Sequence, residues 1–229
     1  MALLYHHTLS AGSRAIRLLM AEYGLDLQLV EEHVWQRREE FLDINPAGTV
    51  PVLVEQAGAV VGEAVIAEYL DETQGALKRE KRLYPDDAMA RAEMRRLVHW
   101  ALDKFETEVV RYLVMERATK RQMPAELGGG APDSQALRAA RTNIKYHLKY
   151  FSWLTATRDW MAGPKLTYAD LAIAASLSVL DYLGEVDWNE EPALKDWYMR
   201  MKSRPSFRPL LADRLRGLPP VSHYVDLDF

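Results

Sequence analysis

Three short stretches of the chain hold residue types from which a site could be built. Ser10-Ala11-Gly12-Ser13 sets two hydroxyls at the head of an apolar run with helical spacing. A hydroxyl there either caps the helix, by accepting from a backbone N–H, or donates to a ligand. Asn45-Pro46-Ala47-Gly48-Thr49-Val50-Pro51 combines turn residues with a proline at the head of a β-branched run. A cis Val50–Pro51 bond, which costs an X-Pro pair only about 0.5–1 kcal/mol, would turn the backbone of Val50 outward towards a ligand. Glu63-Ala64 opens a further helix, where Glu63 either accepts from a ligand amine or serves as a first-turn acid favoured by the helix dipole.

Composition removes several other chemistries. The chain has no cysteine, which excludes disulfides, thiolate metal sites and a cysteine nucleophile. Six histidines are scattered, and His6-His7 lacks a second pair at ligand spacing, so no metal site is expected. A net charge of −4 argues against general nucleic-acid binding. No apolar run reaches membrane-spanning length, and Met1 to Tyr5 lacks the features of a signal peptide, so a cytoplasmic protein without membrane insertion is expected.

The elements that must position these residues fall into two sets. Strands are predicted at Ala2 to Tyr5, Leu27 to Val30, the run from Val50 to Glu55, and Val60-Val61. A helix from the Ser10 turn to about Tyr23 is stopped by Gly24, and another follows Glu63 with Val65, Ile66, Tyr69 and Leu70 on one side. Trp35-Gln36-Arg37-Arg38-Glu39-Glu40 reads as a polar excursion. Residues 1–74 therefore form an α/β unit, 75–84 a linker, and everything after Pro85 is helical as far as 217. Thr167-Tyr168-Ala169-Asp170 caps a segment apolar nearly all round, the expected central helix. Trp100, Trp153, Trp160 and Trp197 are expected in the core.

The order N-P-x-G-x-V-P-x-L, then E-x-x-I-A from Glu63 into Glu68-Tyr69-Leu70-Asp71-Glu72, resembles the thioredoxin-like half of cytosolic glutathione transferases. T-x-A-D-L at Thr167 and W-Y-x-R-M-x-x-R-P-S-F at Trp197 resemble their helical half. The resemblance implies an α/β plus all-α fold, with a four-stranded mixed sheet followed by a helical bundle. It also implies a glutathione site at Val50, Pro51, Glu63 and Ala64, with Ser10 as the sulfur-activating hydroxyl and Ser13 in reserve. Lowering a thiol pKa by two units takes about 2.7 kcal/mol. A helix N-terminus supplies about 0.3–1, so a charge-assisted hydroxyl bond of about 1.5–3 is needed as well.

Two features depart from that pattern. The family places a serine after the acidic residue to hold the γ-glutamyl carboxylate, and Ala64 lacks its hydroxyl, so glutathione is expected to bind weakly and not to be required. Arg200, Lys202, Arg204, Arg208, Arg214 and Arg216 concentrate positive charge, and an apolar, acid-tipped tail follows from Leu218 to Phe229. With Trp35, Arg37 and Arg38, this ending resembles a bacterial branch of the superfamily that binds the tubulin-like division GTPase FtsZ. That resemblance implies a homodimeric adaptor at the division site that bundles or curves FtsZ filaments. Its partner-binding residues would be Trp35, Arg37, Arg38, Arg204, Arg208, Arg214, Arg216, His223, Tyr224, Asp226, Leu227, Asp228 and Phe229. An active glutathione transferase using Ser10, or a glutathione-dependent isomerase or dehalogenase, are the alternatives. The tail either packs on its own domain or docks on a partner.

Overall fold

Short β-branched runs punctuated by glycine and proline assemble a four-stranded sheet in the computed structural model, which describes residues 2–228. Phe229, assigned to the partner surface from sequence, lies outside the described residues. Strand β1 (Ala2–His6) pairs in parallel with β2 (Leu27–Glu31), across the helix α1 (Ala11–Glu22) that a parallel connection requires. The helix α2 (Glu39–Ile44) leads to β3 (Val52–Glu55), which runs antiparallel to β1, and β4 (Gly58–Val61) closes the sheet beside it. The spatial order is β2-β1-β3-β4, and α3 (Glu63–Thr73) packs against α1. Sequence periodicity missed α2, whose six residues are too few to show a repeat.

The helical half starts at α4 (Ala88–His99), capped by Asp87, whose carboxylate accepts from Ala90 N–H at 2.8 Å. It continues without a break through π-helical winding over Trp100–Val110, the helix α5 (Arg111–Val114), a second π segment over Met115–Thr119, and α6 (Lys120–Gln122). The glycine-rich turn then reverses the chain into α7 (Ser134–Thr157). Helix α8 (Tyr168–Leu183) is buried along its whole length, as its uninterrupted apolar sequence requires, and packs on both α1 and the long helix. Asp170, fully buried at its start, accepts from the backbone N–H of Met161 and Thr167 at 2.8 and 2.9 Å and from the Trp197 indole at 3.2 Å. Helices α9 (Pro192–Lys202) and α10 (Arg208–Leu211) complete the bundle. No helix among the described residues is long and apolar enough to cross a membrane.

Several polar contacts fasten the two halves. Arg204 binds Glu22 of α1 through two hydrogen bonds of 2.6 and 2.8 Å, and Ser206 donates to the same carboxylate. Arg17 holds Asp213 in a matching two-pronged pair at 2.8 Å, and Arg82 holds Asp71 across the 75–84 connector. These contacts correct the expectation for Arg204. Its guanidinium is a brace between the domains, because Glu22 lies opposite it.

Of the two courses left open for the tail, Tyr224 takes the first, which corrects its assignment to a partner surface. Residues Ser222–Val225 form a single 3-10 turn that folds Tyr224 into the core with no exposed surface. Its hydroxyl donates to the carbonyl of Leu210 and accepts from Arg14, both at 3.0 Å. His223 is bonded to the buried Asp181 at 3.1 Å. An aromatic ring of this size has too much apolar surface to remain in water when the gap beside α1 and α8 can take it. Trp153 is the opposite correction: it is about half exposed.

Tyr224→Phe is expected to cost about 1–3 kcal/mol, because Arg14 loses an acceptor inside the protein. Tyr224→Ala is expected to cost about 3–5 kcal/mol through the cavity it leaves. Urea denaturation reads both losses; a variant as stable as the parent would mean that the tail is not part of the core.

Candidate functional site

The three stretches singled out in the sequence meet at the junction of α1, β3 and α3. Gly12, in the first turn of α1, lies so close to its neighbours that an added Cβ would stand 3.3 Å from that of Glu63 and 3.6 Å from the ring of Pro51. The Val50–Pro51 peptide is cis. Pro51 is buried and Val50 half-buried.

Ser10 is the N-cap of α1, its Oγ accepting from the Ser13 N–H at 3.2 Å. A hydroxyl keeps one proton to donate while it accepts, so this cap does not occupy the donor that a thiolate would need. Ser13 cannot serve in reserve. Its side chain is fully buried beneath the loop, where it faces the His7 N–H at 3.5 Å, and no ligand reaches it.

Two separate hollows divide the predicted residues. Ser10 and Val50 line a cleft of about 210 Å³ together with Leu9, Trp35, Val114 and Met115. Glu63 and Ala64 line another, of about 330 Å³, with Tyr84, Arg95, His99 and Tyr168. There the Tyr168 hydroxyl, from the first turn of α8, donates to the Glu63 carboxylate. Burial pushes the Glu63 carboxyl up to about 7, against the lowering effect of that bond. One of the two carboxylate oxygens that could receive a ligand amine therefore already has a partner in the helical domain. Ala64 is exposed and contributes only its backbone.

Around the 210 Å³ cleft the rings of His7, His33 and Trp35 pack edge to face and tilted, at centroid distances of 4.6 to 5.9 Å. Burial lowers both His6 and His7 to about 4, so both rings are neutral near pH 7. Arg37 is exposed in a left-handed turn, and Arg38 reaches back to the buried Glu32 at 2.5 and 3.2 Å. Arg208, Arg214 and Arg216 are exposed, as are Asp226, Leu227 and Asp228. Of the residues assigned to a partner surface, Tyr224 is thus held inside, Arg204 is tied to Glu22 while still partly exposed, and the others described keep outward groups. Sequence reasoning missed Tyr168, which it read as part of a cap, and Glu106, which it did not single out. Neither carries a motif; only the approach of α8 to α3, and of the long helix to the cleft, reveals them.

Residues 9–73 match the family model for the glutathione S-transferase N-terminal domain, and residues 131–214 match that for its C-terminal domain. The chain belongs to the glutathione S-transferase family. Within it, FtsZ-localized protein A of Caulobacter vibrioides is 44% identical over 99% of this chain and 97% of its own. The solved structure of FzlA from C. crescentus superposes with a TM-score of 0.92 at 42% identity, covering 100% of this chain and 99% of that one. A crystal structure of a glutathione S-transferase from Sinorhizobium meliloti gives a TM-score of 0.99 at 56% identity, with both chains fully covered. The chain is therefore a close homologue of FzlA with the two-domain transferase fold.

The Glu63 carboxyl predicts a pH dependence. Folded, it keeps its proton to about 7; an ordinary carboxyl releases it near 4.5. Stability from the neutral form is complete below about pH 4.5 and is lost as pH rises to about 7, by up to about 3 kcal/mol. Glu63→Gln, uncharged throughout, should lose less stability across that window in urea titrations at several pH values. An unchanged loss would mean that Glu63 is already ionised in the folded chain. Ala64→Ser should raise glutathione affinity, read by calorimetry, by about tenfold or more through the restored hydroxyl. Tight binding by the unaltered protein would contradict the importance of that anchor.

Proposed function

We propose that this protein is a homodimeric adaptor that binds FtsZ filaments at the division site and bundles or bends them, with little or no glutathione chemistry. The observation that carries the reading is the 44% identity with FtsZ-localized protein A over 99% of this chain. Two features of the site support it. Ala64 lacks the hydroxyl anchor, and Glu63 is engaged by Tyr168.

The docking surface proposed is the neighbourhood of the β1–α1 loop. Trp35 packs against His7 on one side of that loop. On the other side Arg14 and Arg17 bind Asp213, next to Arg214, and Arg14 also binds Tyr224 in the tail. Exposed arginines and an acid-tipped tail steer encounter, while Trp35 and Leu227 supply apolar anchors. A second copy suits the aromatic stripe in which Trp100, from the π-helical segment, packs on Tyr146 and Tyr150 of α7 and Tyr150 stacks on Trp153, with Tyr146 61% and Trp153 55% exposed. A two-fold dimer would present two copies of one docking surface and so bridge filaments.

One observation favours an active transferase as the second reading: the Ser10 hydroxyl lines the 210 Å³ cleft at the N-terminus of α1. Conjugation of an electrophile to glutathione that disappears in Ser10→Ala would establish it.

Co-sedimentation with polymerised FtsZ tests the adaptor reading. Truncation after Val225 keeps Tyr224 in place, and should abolish pelleting with an unchanged thermal midpoint; Trp35→Ala should weaken it at least about tenfold. Added salt should weaken pelleting of the parent as well, since exposed charges are screened beyond about 10 Å at 0.1 M. Undiminished pelleting of both variants would place the adaptor surface elsewhere.

A further inference from the structure

The two domains also meet at the far end of α1 from Ser10, where Arg204 reaches Glu22. A cleft of about 450 Å³ lies there between the 75–84 connector, the loop before α8 and the chain just after α9. Its charged lining is Lys81, Arg82, Lys165 and Arg204, with Glu22 and Glu80. Most of these groups are already paired. Arg204 grips Glu22 with both prongs, at 2.6 and 2.8 Å. Arg82 holds Asp71 at 2.6 and 2.9 Å and Asp86 at 2.7 Å. Lys81 and Lys165 are exposed and have no ion pair among the described residues. Glu80 offsets one of them, so the cleft keeps a surplus of positive charge in a chain whose net charge is −4. Trp160 adds an aromatic wall. Its indole is half-buried, and the Arg200 guanidinium 4.8 Å from the ring centroid holds it in place.

We infer that this cleft binds a small heteroaromatic phosphate monoester of the nucleoside monophosphate kind, its phosphate on Lys81 and Lys165 and its base against Trp160. Surplus positive charge selects an anion. The guanidinium forks that would take a carboxylate are closed on Glu22 and Asp71. The groups left over are ammonium point charges, which hold a phosphate without matching a planar fork. A bare inorganic anion would answer the lysines and leave Trp160 and Leu166 in water, so the anion needs a flat apolar body. Glu80 then accepts from an N–H or hydroxyl of that body. At about 30 Å³ per water the cleft equals the space of about fifteen waters, enough for a base, a sugar and one phosphate. The Arg204–Glu22 and Arg82–Asp71 braces form its walls, so an occupant also ties the two domains together and stabilises the folded chain. None of the lining residues belongs to the docking surface proposed above, and the inference does not depend on that reading.

Adenosine monophosphate is the probe, titrated into the full-length protein by calorimetry and followed by NMR at the Trp160 indole N–H, with Trp160→Phe identifying that signal. Saturable binding is expected, with a shift at Trp160 and a raised thermal midpoint. Adenosine lacks the phosphate and ribose phosphate lacks the base; each should bind at least about tenfold more weakly. Lys81→Ala combined with Lys165→Ala alters two exposed side chains only. That double variant should bind adenosine monophosphate at least about tenfold more weakly and adenosine as before. No saturation by adenosine monophosphate, a shift that spares Trp160, either fragment binding as tightly as the whole, or an unchanged affinity in the double variant would overturn the inference.

Discussion

The Arg14 guanidinium, with no exposed surface, is the interaction around which the rest is arranged. A buried charge is tolerated only when its protons find acceptors and a counter-charge stands near. Arg14 donates to the Thr8 carbonyl at 2.8 Å, to the Ser178 hydroxyl at 2.8 Å and to the Tyr224 hydroxyl at 3.0 Å. Asp213 stands 3.6 Å from Nη2 as the counter-charge, that nitrogen having no hydrogen bond to the described residues. Those four partners belong to the loop before α1, the central helix α8, the tail and the segment after α10. Their positions are therefore fixed together, and the loop that carries Ser10 cannot move far without disturbing the tail.

This constraint relates the inherited cleft to the proposed partner surface. The glutathione transferase fold supplies a rigid platform: α1 against α8, a cis proline at the head of β3, and Glu63 at the start of α3. On that platform the chain carries Ala64 in place of one ligand anchor and ties one oxygen of the Glu63 carboxylate to Tyr168. Residues beyond α10 then fold back so that Tyr224 is buried, His223 is half-buried against Asp181, and Asp226, Leu227 and Asp228 emerge. A terminus held so close to its exit has little conformational entropy left to lose on binding, which favours its use as a docking edge.

Much of the fold was legible because it depends on local rules. The proline-headed strand, the Thr167–Asp170 cap and the apolar run of α8 each combine residue types a few positions apart. The absence of the hydroxyl at Ala64 was legible for the same reason. What could not be read depends on pairs far apart in the chain. Arg204 is claimed by Glu22, 182 positions earlier, and Tyr168 by Glu63, 105 positions earlier. A basic run seen alone reads as an exposed patch, and the braces within it appear only when α1 is laid beside it. Glu106 belongs to the same class. It lines the 210 Å³ cleft with one carboxylate oxygen buried, which no spacing encodes.

Hydrogen–deuterium exchange of the full chain with and without FtsZ polymer tests the central claim most directly, because it locates the contact without altering a residue. The account predicts slowed exchange in the Trp35 to Arg38 turn and in the segment from Arg214 to Asp228, with the amides of Glu63 and Ala64 unaffected. Protection confined to the start of α3, or no protection anywhere in the chain, would contradict it.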